Sequence, residues 1–346
     1  MSSEKYSTKN ALSRRQFLVA GTAATAVTAV PGCVDTEGTD FGIPEGVPLS
    51  NFGKDSTAEQ VTEGLDLSGK TALITGCNSG LGYETMRVLA LRGATVIGAA
   101  RTAEKAEKAC ASIEGDTIPV VCELSDLDSV VACGETVTAL GKPIDMLILN
   151  AGIMALPELK QVNGLEMHFA VNHIGHFVLA NRVLPLVLKA DEGRVVVLSS
   201  SGHSFAPEDG IPFDNLSGED GYESWKMYGI SKLANGLFSY ELNKRLKNTS
   251  AVSNSIHPGV INTNLGRHFP RWQKWASELI GWTFMKSVEA GAGTQTYVAT
   301  APALKGIGGY YFSDCNPKNP DPRMENDEQA LKLWDVSVEL TRDYLI

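Results

Sequence analysis

From residue 70 onward, short runs of β-branched and apolar residues alternate with segments long enough to be helices, and this alternation constrains the fold more than any other feature of the chain. The strand-like runs are Thr71–Thr75, Thr95–Ala99, Thr117–Cys122, Ile144–Leu149, Arg194–Ser199, Val252–His257 and Gly309–Phe312. Helical segments are expected near 80–92, 103–113, 126–140, 163–189, 225–247, 287–300 and 326–341. Strands that are apolar almost throughout must be covered on both faces, which a parallel sheet with crossover helices achieves. Right-handed crossovers then give a doubly wound, seven-stranded parallel α/β sheet in one domain over residues 67–346, with its ligand at the carboxyl ends of the strands. Composition agrees: 43% hydrophobic and 20% charged residues supply a packed core. The net charge of −10 excludes the basic face that a nucleic-acid binder needs. Six cysteines (33, 77, 110, 122, 133 and 315) form no CxxC pair, so neither a disulfide framework nor a zinc site is expected.

The first strand runs into Thr75-Gly76-Cys77-Asn78-Ser79-Gly80-Leu81-Gly82, which opens a helix. Glycines there allow a tight turn and let a pyrophosphate approach the backbone, the arrangement of a Rossmann-type dinucleotide loop. Gly76, Asn78, Ser79, Gly80, Leu81 and Gly82 are therefore the expected cofactor cradle. Arg101 follows the second strand, where an NAD site usually carries an acid for the ribose 2′-hydroxyl. A guanidinium matches a 2′-phosphate instead, so NADP rather than NAD is expected.

Tyr228 and Lys232 lie four apart on a helical segment and share a face. Ser199-Ser200-Ser201 ends the preceding strand and Asn150-Ala151-Gly152 ends the strand before it, so all of these meet at one sheet edge. Here the chain resembles the short-chain dehydrogenase/reductase family, and within it the branch of retinol dehydrogenases and WW-domain-containing oxidoreductases. The resemblance runs from about Leu67 to the C-terminus, through Val171-Asn172-His173-Ile174-Gly175-His176-Phe177, Tyr228 to Lys247, His257-Pro258-Gly259 and Gly309 to Cys315.

That resemblance implies a catalytic tetrad of Asn172, Ser200, Tyr228 and Lys232, with Ser200 as the second serine of the branch's Val-Ser-Ser element and Ser199 as the fallback. Tyrosine can donate a proton to a carbonyl oxygen if its pKa, about 10 unperturbed, is drawn toward neutrality. An ammonium ~4 Å away at an effective dielectric of ~20 contributes about 4 kcal/mol, enough for that. By resemblance, Lys232 also holds the nicotinamide ribose, Ser200 polarises the substrate oxygen, and Asn172 holds a water linking Lys232 to solvent. Glu123 with Leu124 is implied at the adenine, Asn150, Ala151 and Gly152 along the adenosine side, and Val260 and Thr263 at the nicotinamide amide and phosphates. His168, His173 and His176, at spacings of five and three, share no helical ligand face, so no metal is expected.

Ahead of the domain, Ser13-Arg14-Arg15-Gln16-Phe17-Leu18 and an Ala/Thr/Val run to Val30 resemble a bacterial twin-arginine signal. Phe17 to Val30 spans about 21 Å as a helix, short of a ~30 Å hydrocarbon layer. Val30-Pro31-Gly32-Cys33 is similar to a lipoprotein box, with Cys33 the candidate lipid-bearing residue. Residues 1–33 are thus read as an export signal to the periplasm or a membrane anchor, and 34–66 as a flexible tether; the alternative is a cytoplasmic chain with an N-terminal arm.

Between Thr263 and Ser287 lie Phe269, Trp272, Trp275, Trp282 and Phe284, and the resemblance makes this segment a cover over the substrate site. Its aromatics favour a small lipophilic aldehyde, ketone or alcohol, retinoid-like or steroid-like, and peripheral contact with a membrane. The expected activity is an NADP-dependent carbonyl–alcohol oxidoreductase. A nucleotide-binding scaffold with little turnover is the alternative from another class, and the intact tetrad argues against it. A protochlorophyllide-reductase-like enzyme shares the glycine loop and YxxxK, but nothing else in the chain asks for it.

Overall fold

The computed structural model describes residues 42–261 and 285–345. Strand β1 (Thr71–Thr75) is buried along its whole length, as are β2 (Thr95–Ala100), β4 (Met146–Leu149) and β7 (Arg194–Leu198). With β3 (Thr117–Val121), β8 (Val252–His257), β9 (Tyr311–Ser313) and β10 (Asn316–Lys318) they form a sheet of order β10-β9-β8-β7-β4-β1-β2-β3. The first seven in sequence pair in parallel, with Leu73 between Ile97 and Leu147 and Val197 between Leu149 and Ser255. Strand order reverses between β1 and β4, so the sheet opens a crevice at their carboxyl ends, where ligands of such sheets bind.

Helices cover both faces, as apolar central strands require. On one face α2 (Gly80–Leu91), α3 (Ala103–Ala111) and α8 (Val288–Thr300) bury Met86, Leu89, Ala106, Ala109, Ala292 and Val298. On the other, α4 (Leu127–Ala139), α6 (Gly175–Val187), α7 (Ser224–Arg245) and α9 (Asp327–Thr341) bury Val130, Phe177, Leu233 and Leu333.

Three features differ from the sequence expectation. The sheet has eight strands, not seven: Asp314 and Cys315, at φ 53° and 60°, make a two-residue turn that folds Asn316–Lys318 back antiparallel onto β9. Pro317 lacks the N–H a central strand needs, which fits an edge position. The helix expected over 163–189 is interrupted. A hairpin of β5 (Gln161–Val162) and β6 (Leu165–Glu166) comes first, then one turn, α5 (Met167–Phe169), then a π-turn over Ala170–Ile174 before α6. Glu166 starts this segment because its buried carboxylate accepts from the N–H groups of His168 and Phe169.

The stretch read as a tether is packed onto the domain from residue 42 onward. Its short helix α1 (Ala58–Val61) has a Thr57/Gln60 capping box. Val47, Ala58 and Val61 are buried against the α2 and α8 face, Glu59 pairs with Arg87, and Ser50 Oγ donates to Cys315 O at 2.9 Å. Those apolar residues needed a partner, and the sheet face supplies it. Residues 34–41, and the signal-like residues with Cys33, lie outside the described residues.

Candidate active site

The crevice is organised around Thr75, the last residue of β1. Its Oγ1 accepts from the backbone N–H groups of Asn150 and Ala151, both at 3.0 Å, and so ties the end of β1 to the end of β4. Asn150 Nδ2 returns a bond to Thr75 O at 2.8 Å. On the other side Thr75 Oγ1 lies 2.9 Å from His176 Nε2. His176 Nδ1 faces the Asn172 carbonyl at 3.0 Å and must donate to it, so Nε2 is the acceptor and the threonine hydroxyl donates. Burial pushes His176 down to about 4, which keeps this neutral tautomer.

Above this hub the glycine loop turns tightly. Gly76 sits at φ 73°, and a methyl on Gly82 would lie 2.4 Å from Gly76 O and 2.5 Å from Asn150 Nδ2. Only glycine permits that approach of helix to strand. Ser79, at the start of α2, makes no side-chain capping bond, and the first turn of α2 carries no acid. The leading N–H groups are therefore not taken by a side-chain cap, and their dipole favours an anion. This donor set and cradle fit a dinucleotide pyrophosphate.

Ser199 and Ser200 part company at the end of β7. Ser199 is buried and its Oγ donates to Lys232 O at 2.7 Å, a tie from β7 to α7. Ser200 is half-buried, starts the 3₁₀ turn Ser201–Phe205, and accepts from Gly202 N–H at 3.0 Å. A methyl on Gly202 would meet Tyr228 Cε1 at 2.6 Å and Ser200 Oγ at 3.3 Å, so the phenol ring and this hydroxyl flank the same glycine. Tyr228 is 6% exposed, its ring edge-on to His168 and to Trp225 at 6.2 and 6.1 Å.

Lys232, one turn on, places Nζ 5.8 Å from the Tyr228 ring centre and donates to Leu198 O at 3.0 Å. Burial lowers it to about 8. Asn172 lies in the π-turn, where its Oδ1 accepts from Ile153 N–H at 2.8 Å. Its Nδ2 donates to Ile153 O and Ser231 Oγ. Both amide protons are thus spent on protein, while Oδ1 keeps one lone pair beside Gly152 and Lys232 Nζ.

The three histidines read as a non-metal set each have their own partner. His168 bonds Glu166 and Leu156 N–H, His173 bonds Ser337, and His176 bonds Thr75. No group of three or more His, Cys, Asp or Glu among the described residues is arranged to hold a metal ion.

The outlying residues are less tightly drawn in. Arg101 is exposed just past β2, one residue before the Thr102 cap of α3. Glu123 turns its carboxylate onto Ser125, accepting from the hydroxyl at 2.8 Å and the N–H at 3.2 Å; Leu124 beside it is buried. Val260 accepts from Lys286 N–H at 2.8 Å beyond the end of β8. Thr263 and the aromatic residues up to Phe284 lie outside the described residues. Residues the sequence did not single out for the site are Thr75, His176, His203 and His257. A histidine just past a conspicuous serine turn, and one just before Pro-Gly, were the available signals.

A family model described as short chain dehydrogenase matches residues 70–213. The chloroplastic short-chain dehydrogenase TIC 32 B of Brassica napus is 40% identical over 303 residues, covering 84% of this chain and 94% of that protein. Human retinol dehydrogenase 14 is 38% identical over 291 residues, covering 78% and 86%. Among solved structures, an uncharacterized protein of Mycobacterium Paratuberculosis superposes with TM-score 0.66 at 32% identity, over 83% of this chain and 98% of the other. A Beutenbergia cavernae protein solved with NADP at low occupancy has the same fold, with TM-score 0.56 at 22% identity, over 71% and 95%. These findings overturn the expected export to the periplasm. The TIC 32 B and TIC 32 A relatives, at 40% and 39% identity, are chloroplastic proteins, and paired arginines near an apolar run are too short a pattern to stand against relatives spanning the domain. No helix among the described residues is long and apolar enough to cross a membrane.

Proposed function

The chain belongs to the short-chain dehydrogenase/reductase family, and on that premise we propose that it interconverts a carbonyl and an alcohol on a small lipophilic substrate, using NADP and Tyr228 as general acid and base. The family makes it an NAD(P)-dependent oxidoreductase. The cofactor, when bound, supplies or accepts the hydride at the substrate carbon. The observation that carries the reading is the convergence of Tyr228, Ser200, Lys232 and Asn172 around Gly152 and Gly202.

Gly76 to Gly82 would hold the pyrophosphate at the start of α2, and Arg101 would meet a ribose 2′-phosphate with its fork of donors. Ser200 Oγ, one lone pair spent on Gly202 N–H, turns its own proton to the substrate oxygen and polarises it. The Tyr228 hydroxyl then gives its proton to the developing alkoxide, or takes it in the reverse direction. Lys232 stabilises the phenolate left behind. Its ammonium is costly to bury, and a neighbouring anion lowers that cost. Asn172 fixes the loop after β4 to α7, and its spare Oδ1 lone pair faces the lysine end of a proton path. The lipophilic substrate rests on the aromatic residues between 263 and 287 and on relatives named retinol dehydrogenases.

The test is steady-state reduction of all-trans-retinal with NADPH and with NADH. A kcat/KM at least about tenfold higher with NADPH, worth ~1.4 kcal/mol of transition-state binding, is expected. Equal values with the two cofactors refute the NADP assignment, and no turnover of retinal beside rapid turnover of short polar ketones refutes the substrate class.

A further inference from the structure

The Ser200 turn is held from behind by two imidazoles, one of which leaves a buried nitrogen without a partner among the described residues. Ser201 N–H, at the start of a 3₁₀ turn, has no carbonyl of that turn to bond to. It donates to His257 Nδ1, at the end of β8, at 3.2 Å. Ser200 O, the adjacent carbonyl, accepts from His203 Nδ1 at 2.6 Å and from His203 N–H at 3.1 Å. Both backbone groups of the Ser200–Ser201 peptide are therefore bonded to histidine.

Because Nδ1 of His257 accepts, its proton must sit on Nε2. That Nε2 is buried and has no hydrogen-bond partner among the described residues. Lys286, Asp314, Lys318 and His203 are the charged and titratable groups around the ring, and burial pushes it down to about 3, so it stays neutral across the physiological range. A phenylalanine would fill this place without burying an unpaired N–H. The fold tolerates the unpaired group, and what it gains is an acceptor aimed at Ser201 N–H.

We propose that His257 is a positioning residue for the substrate-polarising hydroxyl: through Ser201 N–H it fixes the peptide that carries Ser200, so that Ser200 Oγ keeps its bond from Gly202 N–H and its proton faces the substrate. This rests on the reading of Ser200 given above. On this proposal the effect of His257 passes through the turn, by way of its bond from Ser201 N–H.

Four single variants and one double variant test it, with NADPH and all-trans-retinal as probes. An asparagine Oδ1 occupies the place of the histidine Nδ1 and accepts from the same N–H, whereas a glutamine amide reaches instead to the place of Nε2. His257→Ala and His257→Gln are expected to lower kcat at least about tenfold, toward the range for loss of one polarising donor. Their NADPH dissociation constants should stay within about twofold of the wild type, and His257→Asn should keep kcat within about threefold. In a Ser200→Ala background, adding His257→Ala should change kcat by less than about twofold, since the route through Ser200 is already gone. An asparagine variant no better than alanine, or a full further loss in the double variant, overturns the proposal while leaving the role of Ser200 intact. If Ser200→Ala itself keeps wild-type turnover, the reading of Ser200 fails and the proposal with it. Nitrogen-15 shifts of the wild-type ring supply a readout that needs neither variant nor substrate: a bare Nδ1 and a protonated Nε2 between pH 6 and 8 are expected, and the opposite tautomer refutes the proposal.

Discussion

Replacing Thr75 by valine keeps the shape of the side chain and removes one oxygen. That oxygen is 1% exposed with its residue and makes three hydrogen bonds, to Asn150 N–H, Ala151 N–H and His176 Nε2. Asn150 N–H retains a second acceptor, Ile148 O at 3.1 Å, so its loss is partial. Ala151 N–H and His176 Nε2 are left without their partner. His176 is fully buried and Ala151 only half-buried, so at about 1–3 kcal/mol for a buried group stranded in this way Thr75→Val should destabilise the domain by about 1–4 kcal/mol. Thr75→Ser keeps the hydroxyl and removes one methyl, a loss of about 1 kcal/mol. Urea unfolding followed by tryptophan fluorescence separates the two, because both variants leave the aromatic residues untouched. The hub also joins the glycine loop to β4, so the rise in melting temperature on adding NADPH should shrink in the valine variant and persist in the serine one. A valine variant as stable as the serine variant would refute the account of this oxygen as the tie between strand ends.

Arg101→Asp should weaken NADPH far more than NADH, because a carboxylate repels a 2′-phosphate yet can accept from a 2′-hydroxyl; equal losses in fluorescence titrations would show that Arg101 does not read the phosphate. Lys232→Met should abolish turnover yet stabilise the cofactor-free protein. Burial lowers Lys232 to about 8, so below pH 8 the folded state carries a desolvated ammonium, a penalty of up to roughly 3 kcal/mol. Leu198 O keeps Asn235 Nδ2 as a donor after the substitution. Between pH 8 and the ordinary lysine value the unfolded chain binds more protons than the folded one, so wild-type stability should rise with pH across that window and the advantage of methionine should fade. Denaturant midpoints measured from pH 7 to 10 decide this, and a methionine variant less stable at pH 7 contradicts it.

The sheet was legible because its strands obey one simple rule: a central strand covered on both faces reads as an apolar run, and β1, β4 and β7 do so apart from the threonines at the ends of β1 and Arg194 at the start of β7. Edge elements follow no such rule. Asn316-Pro317-Lys318 pairs only with β9, carries one buried side chain, and owes its strand to two residues at positive φ before it. The π-turn at Ala170–Ile174 was equally hidden. Extra winding confined to five residues is too short to show as a changed period in the sequence, yet it lets Asn172 reach both Ile153 and Ser231. The segment before residue 67 looked like a tether because Gly, Pro and acids dominate it, while three scattered apolar residues decide its packing. In the site, YxxxK and the serine run were readable because each lies along a single element, where spacing shows directly in the sequence. Thr75, His176 and His257 act between elements that only the fold brings together, so no spacing marks them.

The most direct measurement is single-turnover oxidation of NADPH at saturating all-trans-retinal in wild type and Tyr228→Phe. Phenylalanine keeps the ring that packs against His168 and Trp225 and removes only the hydroxyl. NADPH should bind the variant within about twofold of the wild type, while turnover falls by at least about a hundredfold, the scale of a positioned proton donor. A variant that retains more than about a tenth of wild-type turnover, a change worth only ~1.4 kcal/mol, contradicts the assignment of Tyr228 as the general acid.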